Sequence, residues 1–258
     1  MQTAQPLFSI ITVTWNAENE IRPTLDSVAC QTFTDFEYIV MDGASTDATC
    51  RLVKDAAIPS TRLFSEPDKG LYHAMNKAID KATGHYLIFL NAGDSFATPT
   101  TLATIASLAA TNPGIIYGQI EFVWGNRVKA DSVHWIAPRH LSISDYKKSM
   151  PVCHQAFIAR RDLATHYNLK YKITADYDWC IRIVKQSTLN IYVGDEPIIH
   201  FLVGGASSKH YKTMLIERFR IMCHHFGVLP TLVRHIPKLR HLPAMALQKA
   251  RRLFTSPH

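Results

Sequence analysis

The chain has 258 residues, 47% of them hydrophobic, and its 28 Lys/Arg against 21 Asp/Glu give a formal net charge of +7. That size and apolar content suit one large α/β domain with an appendage, and no apolar run approaches the ~20 residues a helix needs to cross a bilayer. Five scattered cysteines, odd in number and without a Cys-x-x-Cys pair, argue against a disulfide framework or a zinc knuckle and for a reducing compartment.

The charge is unevenly placed. Residues 208–258 hold ten Lys/Arg against a single acid, Glu217, whereas residues 1–207 hold 18 basic and 20 acidic residues. The positive charge is thus a property of the tail, and it suggests an anionic partner, either nucleic acid or a membrane surface. The first six residues carry no basic segment before the apolar run, so no signal peptide is expected.

In chain order, Leu7–Thr14 is a β-branched run of strand length. Ile21–Cys30 follows as a helix, with Ile21, Leu25 and Val28 on one face. Phe36–Met41 is a second strand, ending at Asp42-Gly43. Ser45-Thr46-Asp47 has N-cap chemistry for a helix reaching about Ala56. Arg62–Ser65 is a third strand. A helix opens at Gly70, with Leu71, Met75, Ala78, Ile79 and Ala82 on one stripe and Gly84 expected as its C′ glycine. Tyr86–Leu90 is the fourth strand. This β-α alternation predicts a mostly parallel, doubly wound sheet with right-handed crossovers.

Beyond residue 100 the pattern loosens. Leu102–Ala110 and Asp176–Lys185 read as helices. Ile115–Val123 and Arg127–Asp131 read as strands around a Gly125-Asn126 turn, with further strands at Cys153–Ala159 and Ile191–Val193. Pro230, Pro237 and Pro243 should keep the tail helices short or kinked.

Four acidic clusters fall where strands end or helices begin: Asp42–Asp47, Glu66–Asp68, Asn91–Asp94 and Asp176–Asp178. Each alone could be a capping cluster. Together they lie on the carboxyl edge of one expected sheet, where open α/β folds bind ligands. A carboxylate there can hold Mg²⁺ or Mn²⁺ against a diphosphate. The thirteen histidines include no pair spaced as in a zinc hydrolase.

Several of these blocks carry a resemblance. Ile11–Asn16, Ser27–Thr32, Glu37–Thr49 and Asn91–Asp94 closely resemble, in order, the successive motifs of family 2 glycosyltransferases. Ser65–Tyr72 with Ala74–Lys77 resembles the subgroup that builds bacterial O-antigen, capsule and exopolysaccharide units of the colanic-acid type. The resemblance spans roughly residues 5–205. It implies the GT-A fold: a mostly parallel, Rossmann-like sheet flanked by helices. Residues 1–207 would be the transferase domain, its donor half about 1–100 and its acceptor half about 101–207, followed by a basic amphipathic helical extension, 208–258.

The resemblance also implies roles. Val13, Trp15, Asp42, Asp68, Asn91 and Gly93 would line the UDP-sugar donor site, with Trp15 beside the base and Asp42 accepting from uracil N3–H. Asp94 would hold the divalent cation, Mg²⁺ or Mn²⁺. Gly93 stands where an acid is often found, so metal binding should be weak without nucleotide. Asp176 would be the catalytic base of an inverting transfer, with Asp178 as its rival; two residues on along a helix, Asp178 points roughly 200° round from it. Ala175 replaces the family's usual Glu. His154 and Gln155 would bind the acceptor, and Gly204–Ser207 would form a mobile loop over the diphosphate.

The activity implied is transfer of a hexose from a UDP-sugar to a polyprenyl-pyrophosphate-linked saccharide in surface polysaccharide synthesis. The enzyme would be cytoplasmic and peripheral on the inner membrane face, its tail meeting anionic lipid. Two rivals fit less well. A sugar-1-phosphate nucleotidyltransferase would want a Gly-rich basic loop after the first strand, and Trp15-Asn16-Ala17-Glu18 is none. A nucleic-acid-binding module would interleave the basic tail with aromatics, and here the interleaved residues are mainly aliphatic, so no nucleic acid is expected.

Overall fold

The computed structural model describes residues 5–125, 134–204 and 210–240, with side chains through residue 234. The first four strands are β1 (Phe8–Thr14), β2 (Phe36–Asp42), β3 (Thr61–Ser65) and β4 (Tyr86–Phe89). They are linked by helices α1 (Ile21–Ala29), α2 (Thr49–Asp55) and α3 (Leu71–Lys81). Strand β5 (Ser95–Phe96), helix α4 (Thr101–Ala109), strands β6 (Ile115–Val123) and β7 (His134–Trp135), and helix α5 (Ile143–Tyr146) follow. A 3-10 turn (His154–Ala156) then leads into β8 (Phe157–Arg160), helix α6 (Ala175–Gln186) and strand β9 (Asn190–Leu202). Helices α7 (Tyr211–Phe226) and α8 (Val228–Arg240) end the described chain.

The strands form one sheet in the order β3-β2-β1-β4-β8-β6-β9-β5, with β7 on the flank of β6. The block β3-β2-β1-β4 is parallel throughout. Strand β8 runs antiparallel to both β4 and β6, and β6 and β9 form a second, long parallel pair. The order in which strands are added reverses between β1 and β4, so the crevice at their carboxyl ends is the topological switch point.

Alternation along each strand feeds two cores. Ile11, Val13, Ile39, Met41, Leu87 and Phe89 pack on one face, under α3 and α6. Phe8, Ile10, Tyr38, Val40, Tyr86 and Ile88 pack on the other, under α1, α2 and α4. Period-two patterning sends successive side chains to opposite faces, which is why both faces of these strands are apolar.

Several expectations from the sequence change. Gly84 is not a C′ glycine: α3 stops at Ala82, whose backbone is extended. Gly84 instead lets the chain pass β1, where a Cβ would meet Ser9 N at 2.5 Å and Phe8 C at 2.6 Å. The stretch Cys153–Ala159 is a strand only from Phe157, because His154–Ala156 curl into the 3-10 turn. The short strand at Ile191–Val193 is part of a 13-residue β9, which continues through Gly194, Asp195, Glu196 and Pro197, a polar stretch with no strand signature. The tail prolines leave α7 untouched: it runs 16 residues and ends at Gly227, before Pro230. The expected strand Arg127–Asp131 and most of the Gly204–Ser207 loop lie outside the described residues.

Candidate functional site

Strand order alone places the expected donor residues on one edge. Trp15 follows β1; Asp42 ends β2, in register with Thr14 of β1 and Ser65 of β3; Asn91 to Asp94 follow β4. The Trp15 side chain is 68% exposed, an open aromatic face at the sheet edge. A Cβ at Gly43 would stand 2.7 Å from Asp68 Oδ2 and 3.4 Å from Trp15 Cδ1. Trp15 and Asp68 thus flank a floor that only glycine keeps flat. Asp68 is held by the Gly70 amide on Oδ1 at 2.6 Å. Val13 is buried in the core, so its contribution at this edge is limited to backbone.

Asp42 is differently placed from an open base-reading group. It is 1% exposed, and its Oδ2 accepts from the Ser45 amide at 2.9 Å and the Ser65 hydroxyl at 2.6 Å, while Oδ1 accepts from the Ser45 hydroxyl. Burial works to raise its carboxyl, yet the hydrogen bonds from Ser45 and Ser65 hold it below the ordinary carboxylate range. Asp42 is therefore an ionised organiser of the 42–45 turn, with most of its acceptor capacity already used.

The Asn91–Asp94 turn is pinned from α1. The Thr24 hydroxyl accepts from the Gly93 amide at 2.9 Å and donates to the Asp94 carbonyl at 2.7 Å. Gly93 has φ of 98°, and a Cβ there would meet Leu202 Cδ2 at 2.6 Å. An acidic side chain at this position is strained by the positive φ and would have to displace the Leu202 side chain, and Asp94 is the turn's one carboxylate. It is 4% exposed, its Oδ1 accepting from the Leu202 amide at 2.9 Å and its Oδ2 from Gln155 Nε2 at 3.0 Å. Burial pushes its carboxyl up to about 7, with Leu202 and Gln155 pulling the other way. Beside it, Asn91 Oδ1 is a buried acceptor with no hydrogen-bond partner.

Asp94 and Asn91 line a cavity of about 680 Å³ that also takes in Asp176, Tyr72, His154 and Arg218. Asp176 is the second residue of α6. Its Oδ1 accepts from the Tyr72 hydroxyl at 3.0 Å and the Tyr177 amide at 2.9 Å; Oδ2 has no protein hydrogen-bond partner among the described residues. Burial raises its carboxyl above the ordinary range, partly offset by Tyr72 and the Tyr177 amide. Asp178 is in a different position: it faces Arg182 Nε at 2.9 Å and His225 Nε2 at 2.8 Å, and burial is outweighed by these partners, which hold it low. Asp178 ties helices together and is absent from the cavity lining.

His154 and Gln155, expected on the acceptor side, do separate things. Gln155 is aimed at Asp94, its Oε1 accepting from Cys153 Sγ at 3.0 Å. His154 sits among Phe89, Tyr167 and Trp179, its Nε2 2.6 Å from the Tyr167 hydroxyl, and burial lowers it to about 3, so the ring is neutral. It still borders the cavity. Among the described residues no group of three or more His, Cys, Asp or Glu gathers as a metal cage, so any cation here would share Asp94 with a ligand.

Sequence reasoning gave no role to Thr24, Lys172, Glu217 or Arg218, and Tyr72 entered only within a motif. Lys172 and Arg218 bring positive charge to the cavity wall. Arg218 comes from the tail, which is anchored on α6 through His225 and Glu217. The charge boundary near residue 208 is consequently not a packing boundary.

Comparison with known proteins gives the family and the fold. The family model described as "Glycosyl transferase family 2" matches residues 9–167. A "PGL/p-HBAD biosynthesis glycosyltransferase" of Mycobacterium bovis is 34% identical over 200 residues, which cover 72% of this chain and 73% of the relative. The "UDP-Glc:alpha-D-GlcNAc-diphosphoundecaprenol beta-1,3-glucosyltransferase WfgD" of Escherichia coli is 25% identical over 185 residues, covering 71% and 72%. Among solved structures, S. aureus TarS 1-349 in complex with UDP-GlcNAc aligns with a TM-score of 0.67 at 18% identity, over 89% of this chain and 72% of that one. The mannosyltransferase PcManGT from Pyrobaculum calidifontis, in complex with GDP-Man and Mn²⁺, aligns with a TM-score of 0.62 at 18% identity, over 98% and 81%. The sheet and its flanking helices are those of the GT-A fold.

Proposed function

The chain belongs to glycosyl transferase family 2, and on that premise we propose that it moves a hexose from a UDP-sugar to a lipid-linked saccharide acceptor, inverting the anomeric carbon. The observation that carries this reading is Asp176. One carboxylate oxygen is fixed by Tyr72 and the Tyr177 amide, and the residue lines a cavity shared with Asp94.

In the proposed reaction Asp176 Oδ2 takes the proton of an acceptor hydroxyl. The hydroxyl oxygen attacks the donor's anomeric carbon from the face opposite the diphosphate. The carbon–oxygen bond to the β-phosphate breaks, and UDP leaves with the bonding pair. Burial raises Asp176, which makes it a stronger base than a solvated carboxylate. Lys172 and Arg218 stand on the cavity wall as cations for an anionic acceptor. Trp15 and Asp68 would flank the base.

The residues fit a divalent cation. Asp94 offers a carboxylate with one lone pair still available on each oxygen, and Asn91 offers an orphaned buried carbonyl oxygen. An all-oxygen donor set completed by a diphosphate suits Mg²⁺ or Mn²⁺. The cation would neutralise charge on the leaving diphosphate.

The lipid-linked acceptor draws support from WfgD, whose name specifies a diphosphoundecaprenol-linked acceptor and a UDP-Glc donor. No helix of the described residues is long and apolar enough to cross a membrane. Helices α7 and α8 present Leu215, Ile216, Leu229 and Val233 to solvent, with Lys212 and Arg234 exposed among them. We assign this surface to the anionic inner face of the cytoplasmic membrane, where such an acceptor would be met during bacterial surface polysaccharide synthesis.

A donor screen tests the proposal. UDP release is measured across UDP-glucose, UDP-galactose and the UDP-N-acetylhexosamines, with Mn²⁺ and a polyprenyl-pyrophosphate-linked saccharide. One UDP-sugar should give acceptor-dependent release. Release from none of them, or turnover of GDP-mannose alone, would sink it.

A further inference from the structure

Glu217 is the single acid in the basic stretch 208–258, and it is turned inward, 6% exposed. Its carboxylate is fully engaged. Oε1 accepts from the Lys172 amide at 2.7 Å. Oε2 accepts from the Ile173 and Thr174 amides, both at 3.0 Å, and from the Thr174 hydroxyl at 3.1 Å. Three successive backbone N–H groups thus converge on one anion, as in the nests that bind phosphate elsewhere. Here the anion is the protein's own.

Those three residues are the entry to α6. Thr174 is the helix N-cap, and its hydroxyl makes no cap within its own helix because it is committed to Glu217. Asp176 lies two residues further on. The opposite side of the entry is held by Tyr72, whose one hydroxyl proton is shared between the Ile173 carbonyl at 2.9 Å and Asp176 Oδ1 at 3.0 Å. The segment that aims Asp176 is therefore strapped by its amides to Glu217 and by a carbonyl to Tyr72. The negative charge of Glu217 also lies at the positive end of the α6 dipole, where it is favourable.

We propose that Glu217 is a positioning residue for Asp176, so that helix α7 of the tail is part of the catalytic apparatus. The inference rests on reading Asp176 as the general base. Glu217 touches neither reacting atom; it acts by fixing where α6 begins. Without it, three amides lose their acceptor, the one at Thr174 buried and those at Lys172 and Ile173 part-buried, and the 172–174 segment shifts to satisfy them. A displacement of about 1 Å at the base can cost on the order of a hundredfold in rate, while a donor held by residues 13–94 would not sense it.

The test is steady-state transfer by the full chain with Glu217→Ala, Glu217→Gln and Glu217→Asp, beside calorimetric UDP binding. E217A should lower kcat by about ten- to a hundredfold while UDP affinity and donor KM stay within about twofold, and E217D should regain part of the rate. Should E217A not fold, the isosteric E217Q carries the same expectation. A folded variant with wild-type kcat overturns the inference. So does a loss of kcat matched by an equal loss of UDP binding, which is the signature of a general brace. Wild-type transfer with unaffected Glu217 variants removes this inference alone, whereas a wild-type chain that transfers from no UDP-sugar removes the functional reading and the inference with it.

Discussion

The Gln155 amide donates from Nε2 to Asp94 Oδ2 at 3.0 Å, and Gln155 is itself oriented by Cys153 Sγ on its Oε1 at 3.0 Å. A residue expected on the acceptor side is thus the partner that aims the expected metal ligand. The two meet because the 3-10 turn before β8 lies beside the end of β4, its antiparallel neighbour.

Removing that partner should loosen the metal. Partners that orient a ligating carboxylate are worth about 10–100-fold in metal affinity. Gln155→Ala is expected to raise the Mn²⁺ concentration for half-maximal UDP release by that amount, with most of kcat recovered at saturating metal. An unchanged Mn²⁺ titration would mean that Leu202 alone suffices to hold Asp94.

The Tyr72 hydroxyl bond to Asp176 has a pH consequence. Asp176 must be ionised to act as a base, so kcat falls as pH drops through its pKa. Burial raises that pKa, and Tyr72 lowers it by stabilising the carboxylate. The acidic limb of kcat should lie above the ordinary carboxylate range of about 4. Tyr72→Phe removes the lowering contribution and should move the limb to higher pH. A limb that stays in place, or moves to lower pH, contradicts the assignment.

The exposed face of α7 and α8 should bind anionic lipid. Each cation near such a surface contributes on the order of 1 kcal/mol, so the Lys212→Gln, Arg234→Gln double variant should bind phosphatidylserine vesicles about thirtyfold more weakly at low salt. Wild-type binding should itself weaken as salt rises. Equal sedimentation with neutral phosphatidylcholine vesicles would refute an electrostatic role for this surface.

The first half of the fold was legible because its signals are local. Strands β1, β2 and β4 are apolar runs of strand length, and α1 and α3 carry one apolar stripe each, so alternation and period sufficed. The second half hid where local signals and tertiary pairing disagree. Gly194 to Glu196 look like a turn and have no partner in β6; they fall in the register shift after Tyr117↔Tyr192, and β9 pairs with β6 again from Pro197. Gly84 looked like a helix stop and is a close approach to β1.

The candidate site divides in the same way. Asp94 and Asp176 lie on one cavity, as the family resemblance implied, but their supports come from distant chain. Thr24, a helix-interior threonine by sequence, pins the 91–94 turn, and Glu217, one acid in a cationic tail, braces α6. Composition painted the tail as a surface feature. Only the pairing of Glu217 with three amides, more than forty residues away in sequence, ties its first helix to the entry of α6.

The most direct test of the account is Asp176→Asn. The asparagine keeps the shape of the side chain and the acceptor for Tyr72 but cannot take a proton at neutral pH. Transfer should fall by about 10²–10⁴-fold while calorimetric affinity for UDP with Mn²⁺ is unchanged. Retention of wild-type transfer by D176N would remove Asp176 as the base and, with it, the central claim.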